Sequence, residues 1–361
     1  MARRTDFALL GLTLLLMTLG LAMLYSTSAV LAQMRHHDSL YFLKRQLLWG
    51  GFGLLGLWGM RSIPYSAQRR LAKPALLCTL VALILVLLFG KEVGGARRWL
   101  TIGPLSIQPS EFAKYTLLLY VARSLAMNQE RLRSFVHTYL PNMCVLAVVT
   151  VLVFKQPDLG TAVVLAATAS LQLLIAGVPW RYLTCTALAG LPGLYVAVTH
   201  VRFRRGRLTA FWDPWGDRQG GGYQVIQALL ALGQGGLLGI GLGKSQQKLF
   251  YLPEAHTDFI FAVIGEELGF LGAVGLIVLF LLLLWRILRI AVSCNDPFGA
   301  YLGLGIFSLL SLQIAMNLCV VMGLMPTKGL PLPLISLGGS NLLVSLMAIG
   351  TMLNIAEGGK S

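Results

Sequence analysis

The sequence predicts an all-α integral membrane protein with about ten transmembrane helices and a long extracytoplasmic loop between the seventh and eighth. Three observations carry this. Of 361 residues, 56% are apolar and only 12% are charged, too little polar side chain to cover a water-soluble domain of this size. Apolar runs long enough to cross a hydrocarbon core, about 20 residues each as helix, recur from Phe7 to Ala356. The formal charge of +15 comes from Lys and Arg set mainly in short connections between those runs, the placement that anchors helices at lipid headgroups.

The first run, Phe7 to Ala29, follows Arg3 and Arg4 as a signal peptide would. It is too long and lacks a small-residue cleavage site, so it is expected to remain as the first span. The next runs are Gln46 to Met60, Pro74 to Gly90, Phe112 to Met127, Met143 to Phe154, Thr161 to Val178 and Tyr182 to Val198. After the long loop come Phe259 to Trp285, Ala300 to Leu324 and Leu334 to Ala356. Residues 1–361 are expected to form a single polytopic domain. An even number of spans puts both termini on one side, and the short connections on that side carry the larger share of Lys and Arg. Both termini are therefore expected in the cytoplasm, and the loop of residues 199–257 outside. Glycine recurs between Gln219 and Gly243, interrupted by the apolar stretch Val225 to Leu232. That stretch is expected as a short helix on the bilayer surface between flexible segments.

Several functions are excluded. No basic stretch interleaved with aromatics is long enough to track a phosphate backbone, which rules against nucleic acid. The five cysteines are scattered without a CxxC pair, so neither a zinc site nor a disulfide framework is indicated. Gly239 to Ser245 imitates a phosphate-binding loop, but that motif's first glycine would fall at Leu238 and no strand precedes it. Nucleotide hydrolysis is rejected.

The candidate chemistry centres on Asp258, where a polar loop turns into an apolar helix. Two readings stand open: a helix cap, since Asp accepts backbone N–H bonds at helix starts, or a general base at the membrane interface. His256, two residues away, is either a solvated loop histidine or half of a metal pair. Glu266 and Glu267 read as structural ion-pair partners within the bundle. Glu111 and Lys114, spaced i and i+3 on one helix face, either neutralise each other or leave Lys114 for an anionic substrate. Asp158 reads as the cap of the sixth helix. Arg202, Arg204, Arg205 and Arg207 form a dense basic stretch that suits lipid headgroups in general or a diphosphate held by bidentate bonds. In Pro331 to Ser340, the residues Ser336, Gly338, Gly339 and Ser340 enter the last span; close helix packing accounts for the glycines, and the same opening could admit a lipid.

Together, Gln108 to Lys114, Gln156 to Gly160, Lys248 to Gly269 and Pro326 to Ser340 resemble the SEDS family of bacterial envelope proteins, for shape, elongation, division and sporulation. The segments Pro253 to His256, Pro326 to Gly329, Tyr25 to Ser28 and Phe42 to Gln46 are more similar to its division branch, or the sporulation relative of that branch, than to its elongation branch. Leu337 departs from the family's usual Tyr. The resemblance implies a glycosyltransferase that polymerises lipid II into peptidoglycan strands at the outer face of the bacterial cytoplasmic membrane. It implies Asp258 as the catalytic acid position. Lys114 and the stretch Arg204 to Arg207 become candidates for diphosphate, with Glu111, His256, Ser336, Gly338, Gly339 and Ser340 beside the substrate. A divalent cation, magnesium or manganese, is the only cofactor allowed for, with no nucleotide or organic group. Implied partners are lipid II, the nascent glycan strand, a class B penicillin-binding protein transpeptidase, other division proteins and membrane lipid, at the septum. The rival functions are a lipid II flippase and a non-catalytic division scaffold.

Overall fold

The computed structural model describes residues 6–358 except 94, 104, 200, 201, 219, 249 and 250; side chains of residues 65, 93, 102, 105, 194, 197, 198 and 202–204 are likewise outside the description. A helix stands at every one of the ten expected runs. They are α1 (Phe7–His36), α2 (Tyr41–Ser62), α3 (Tyr65–Phe89), α4 (Pro109–Met127), α5 (Leu140–Lys155), α6 (Leu159–Ile175) and α7 (Trp180–Thr199), then α10 (Ile260–Val292), α11 (Pro297–Val321) and α12 (Gly339–Ala356). Among the described residues, six helical segments are long and apolar enough to cross a membrane on those two criteria alone. Of the others, α6 is shorter, and α2 and α4 carry three charged residues each. The protein is a multi-pass helical membrane protein.

Two features refine the all-α expectation. A small antiparallel meander, β1 (Lys91–Val93), β2 (Ala96–Ile102) and β3 (Leu105–Ile107), joins α3 to α4. The long loop carries two helices, α8 (Arg202–Trp212) and α9 (Tyr223–Gln234). The expected apolar island is thus α9, but it buries Val225, Ile226, Ala228 and Ala231 against α10 and α11 instead of resting on the surface alone.

The glycine-rich segment after α9 is not a free hinge. α10 breaks at Gly269, whose φ of 69° and ψ of −169° belong to a region that only glycine enters readily. The break would orphan carbonyls at membrane depth, which is costly. The segment supplies the partners: Ile240 N donates to Glu266 O (3.0 Å), Gly241 N to Glu267 O (3.1 Å), and Phe270 N to Gly236 O (2.9 Å). A Cβ at Gly239 would collide with the Glu267 carbonyl. Close backbone approach therefore explains this glycine, correcting the expectation of flexibility.

Buried polar groups knit the bundle. Glu267, fully enclosed, accepts from Lys248 Nζ (2.8 Å) and from Ser26 Oγ on α1 (2.7 Å). Glu266 accepts from Ser245 Oγ (2.5 Å) and Gln246 N (2.9 Å). The expected ion pair thus exists for Glu267, while Glu266 is bound by neutral donors. Asp6 caps α1 and pairs with Arg286 at 2.7 Å, and Arg61 pairs with Glu357 at 2.6 Å.

Candidate active site around Asp258

The turn before α10 decides how Asp258 is used. Glu254 adopts a left-handed φ of 56°, and its carbonyl accepts from Thr257 N (3.1 Å) and Phe259 N (3.3 Å). Thr257 spends its hydroxyl on Glu254 rather than on the helix. The N-cap of α10 is Phe259, with no side-chain bond to the helix N–H groups. Asp258 is therefore not a cap, which settles the first of its two readings. Among the described residues, no group donates a hydrogen bond to its carboxylate.

Other elements converge on this half-buried carboxyl. Burial first, and the nearby Glu254 carboxylate second, push its pKa up to about 7, against the pull of Arg207; Asp158 adds a further push and Arg98 a further pull. Arg207 on α8 is half-buried, donates to Thr327 O (3.3 Å), and has its own pKa lowered by burial while Asp258 holds it up. A Cβ at Gly329 would sit 3.0 Å from Asp258 Oδ2, so the loop of residues 326–330 runs directly past the carboxylate. Lys328 in that loop is half-buried and is depressed by burial alone. A basic loop and two guanidinium groups beside one half-buried carboxyl can position an anion next to a proton acceptor.

The remaining expected site residues divide. His256 lies beside Asp258 in sequence, with its ring 5.1 Å from that of Phe42. Burial lowers its pKa against the influence of Glu254, which favours the neutral ring. Arg205 is exposed, and the side chain of Arg204 is outside the described residues. Lys114 and Glu111 are both buried, 2.7 Å apart, and Glu111 also accepts from Asn341 (2.9 Å). That contact is the neutralising alternative. Ser336 Oγ accepts from Leu332 N, its carbonyl accepts from Gln46, and Gly338 N donates back to Gln46. Gly339 lies flat against the Trp49 indole, and Ser340 Oγ accepts from Gln108 N. These four residues build the α2, α4 and α12 contact, which is their packing reading.

Asp158 caps α6 through Thr161 N (3.1 Å), as expected. Three contributors escaped the sequence reading: Arg98, Glu254 and Lys328. Arg98 reaches from β2 to the Gln156 carbonyl at 3.1 Å, a contact across 58 positions that no local pattern signals. Glu254 and Lys328 stood inside motifs already noted, without a role. Among the described residues, no three His, Cys, Asp or Glu converge as a metal-binding group.

A family profile described as "Cell cycle protein", FTSW_RODA_SPOVE, matches residues 7–360. The chain belongs to the FtsW/RodA/SpoVE family. Its relatives include a probable peptidoglycan glycosyltransferase FtsW of Trichlorobacter lovleyi, 44% identical, the match covering 98% of this chain and 93% of that one. Another is the stage V sporulation protein E of Bacillus subtilis, 40% identical over 98% and 97%. In three dimensions the chain is similar to one from a peptidoglycan synthase complex described by its structural coordination of polymerization and crosslinking. The TM-score is 0.82 at 34% identity, covering 98% and 97% of the two chains. It is also similar to the rod shape determining protein RodA of Thermus thermophilus, with a TM-score of 0.73, 32% identity and coverage of 97% and 96%. The SEDS expectation is thereby met across nearly the whole length.

Proposed function

We propose that this protein is a peptidoglycan glycosyltransferase that polymerises lipid II into glycan strands during cell division. It works at the outer face of the bacterial cytoplasmic membrane as one polytopic unit, with both termini in the cytoplasm. The observation that carries the proposal is Asp258: a half-buried carboxyl that caps no helix, poised near neutral pH and flanked by cationic groups where a loop enters the membrane. A general base works best with a pKa near the working pH.

The reaction follows from the donor's stereochemistry. Its sugar is α-linked to diphosphate and the product is β-1,4-linked, so one inverting displacement suffices. The acceptor 4-hydroxyl attacks the donor anomeric carbon as its proton passes to Asp258. A carbon–oxygen bond forms, and the bond to the diphosphate breaks with its electron pair leaving on the diphosphate. Arg207 is the best-placed cation for that growing charge, with Lys328 next and the remaining basic residues of 202–207 at the approach. Among the described residues no three His, Cys, Asp or Glu converge; a divalent cation, magnesium or manganese, would enter as an ion carried on the diphosphate, where it would offset part of the charge.

Support comes from the relatives' names and from the synthase complex to which the fold is similar. That complex also motivates a crosslinking partner, taken here as a class B penicillin-binding protein; placement at the septum alongside other division proteins follows from the likeness to the FtsW relatives. One feature favours transport instead, the broken helix at Gly269, since transporters bind cargo at such breaks. Both carboxylates beside the break are occupied by Ser245, Gln246, Lys248 and Ser26, which weighs against it. Purified protein and its transpeptidase partner, given lipid II in detergent, should produce long strands on a sizing gel, and Asp258→Asn should not. Strands at the normal rate from Asp258→Asn would overturn the base assignment. Lipid II crossing vesicles without polymer would favour transport, and neither activity would leave a scaffold.

A further inference from the structure

Asn317 lies near the end of α11 and is 2% exposed. Its amide nitrogen donates both hydrogens to backbone carbonyls of separate segments: Asp258 O at 2.8 Å and Leu330 O at 2.7 Å. Asp258 opens the turn into α10, and Leu330 closes the loop that carries Thr327, Lys328 and Gly329. One side chain therefore bolts the carboxylate's backbone to the loop that passes it. That loop is held on its other side by Arg207 through the Thr327 carbonyl. Leu330 N also donates to Lys328 O (2.9 Å), so the tether point and Lys328 belong to one tight turn. Asn317 Oδ1 is buried without a hydrogen-bond partner among the described residues. A buried orphan acceptor costs stability, so this amide is tolerated for the two bonds that its nitrogen makes.

We propose that Asn317 is a positioning residue for the transfer reaction: its amide crosspiece fixes Asp258 against the loop of residues 326–330. The inference rests on Asp258 being the base. The chain offers an internal comparison. Asn354 on α12, 1% exposed, makes the same construction, donating to Arg61 O (2.6 Å) and Ile63 O (3.1 Å), also with an unpartnered Oδ1. It joins α12 to the end of α2, away from Asp258. The two asparagines are matched in chemistry and burial and differ in what they hold.

The charged groups acting on Asp258 are Glu254 from its own turn, Arg207 from α8, Asp158 from the start of α6 and Arg98 from β2. Burial dominates them, so loosening the turn should let water in and move the carboxyl toward the ordinary range. The test is the pH–rate profile of lipid II polymerisation for wild type, Asn317→Leu, Asn354→Leu and Asp258→Asn. Asn317→Leu should lose about tenfold or more in kcat, since small displacements of reacting groups are costly. Its profile midpoint should move at least about half a unit to lower pH. Asn354→Leu should lower the melting temperature comparably while leaving the midpoint in place. If Asn317→Leu does not accumulate, Asn317→Ala, which removes both donors without adding a charge near Asp258, is read the same way. An unmoved midpoint and rate in an Asn317 variant, with Asp258→Asn inactive, would overturn the positioning role alone. A fully active Asp258→Asn would overturn the base assignment beneath it.

Discussion

Titration of Asp258 should be visible directly in the rate of strand synthesis. With its pKa near 7, the proton-accepting form is about 10% of the protein at pH 6, about half at pH 7 and about 90% at pH 8. Initial rates should then rise about fivefold from pH 6 to 7 and less than twofold from pH 7 to 8, with saturating lipid II and the partner present. An ordinary aspartate near 4 would give a flat profile over that range. The same shift has a consequence for folding. The native state keeps a proton that the unfolded chain releases between about pH 4 and 7, so stability falls as pH rises through that window. The full shift corresponds to at most about 4 kcal/mol, less to the extent that water reaches this half-buried group. Asp258→Asn removes the effect, so it should melt at a higher temperature than wild type at pH 8 and at a similar one at pH 4. A flat profile between pH 6 and 8, together with no stabilisation of Asp258→Asn at pH 8, would refute a half-buried, proton-poised base.

Arg207→Gln removes the cation that pulls the Asp258 pKa down and that the proposed reaction sets against the departing diphosphate; kcat should fall about 10-fold or more, with the profile midpoint moving to higher pH. Lys248→Met strands the buried Glu267 carboxylate and should cost about 3 kcal/mol or more in thermal unfolding in detergent; adding Glu267→Gln should recover part of that, and no recovery would contradict the pairing. Gly269→Ala forces a Cβ into the break of α10 and should destabilise by about 1–3 kcal/mol from backbone conformation alone. Chelation of divalent ions should slow strand synthesis without changing the melting temperature if the cation rides on the diphosphate. An equal rate with and without chelator would remove the cation from the scheme.

Much of the architecture was legible in order of residues, because each span in a bilayer announces itself by its own length and apolarity. The ten runs, the cap at Asp158 and the Lys248-to-Gly269 region are local patterns, and a local pattern needs only its own neighbours to be read. The motif around Asp258 likewise marked a carboxylate where a loop meets a helix. What that carboxylate does was undecided, since cap and base use the same residue at the same place. The turn at Glu254 shifted the cap position to Phe259 and left Asp258 free. Arg98 and Arg207, Gly329 and Asn317 reach it from β2, α8, the loop after α11 and α11 itself. Their proximity depends on how helices pack, which no spacing along the chain encodes. The same holds for the glycines after α9: composition suggested a hinge, and packing made them a splint across the break at Gly269. The sequence by itself determined the solvent, the spans and the acid. Only tertiary structure decided that acid's proton affinity, because a pKa is set by burial and by charges that arrive from elsewhere in the fold.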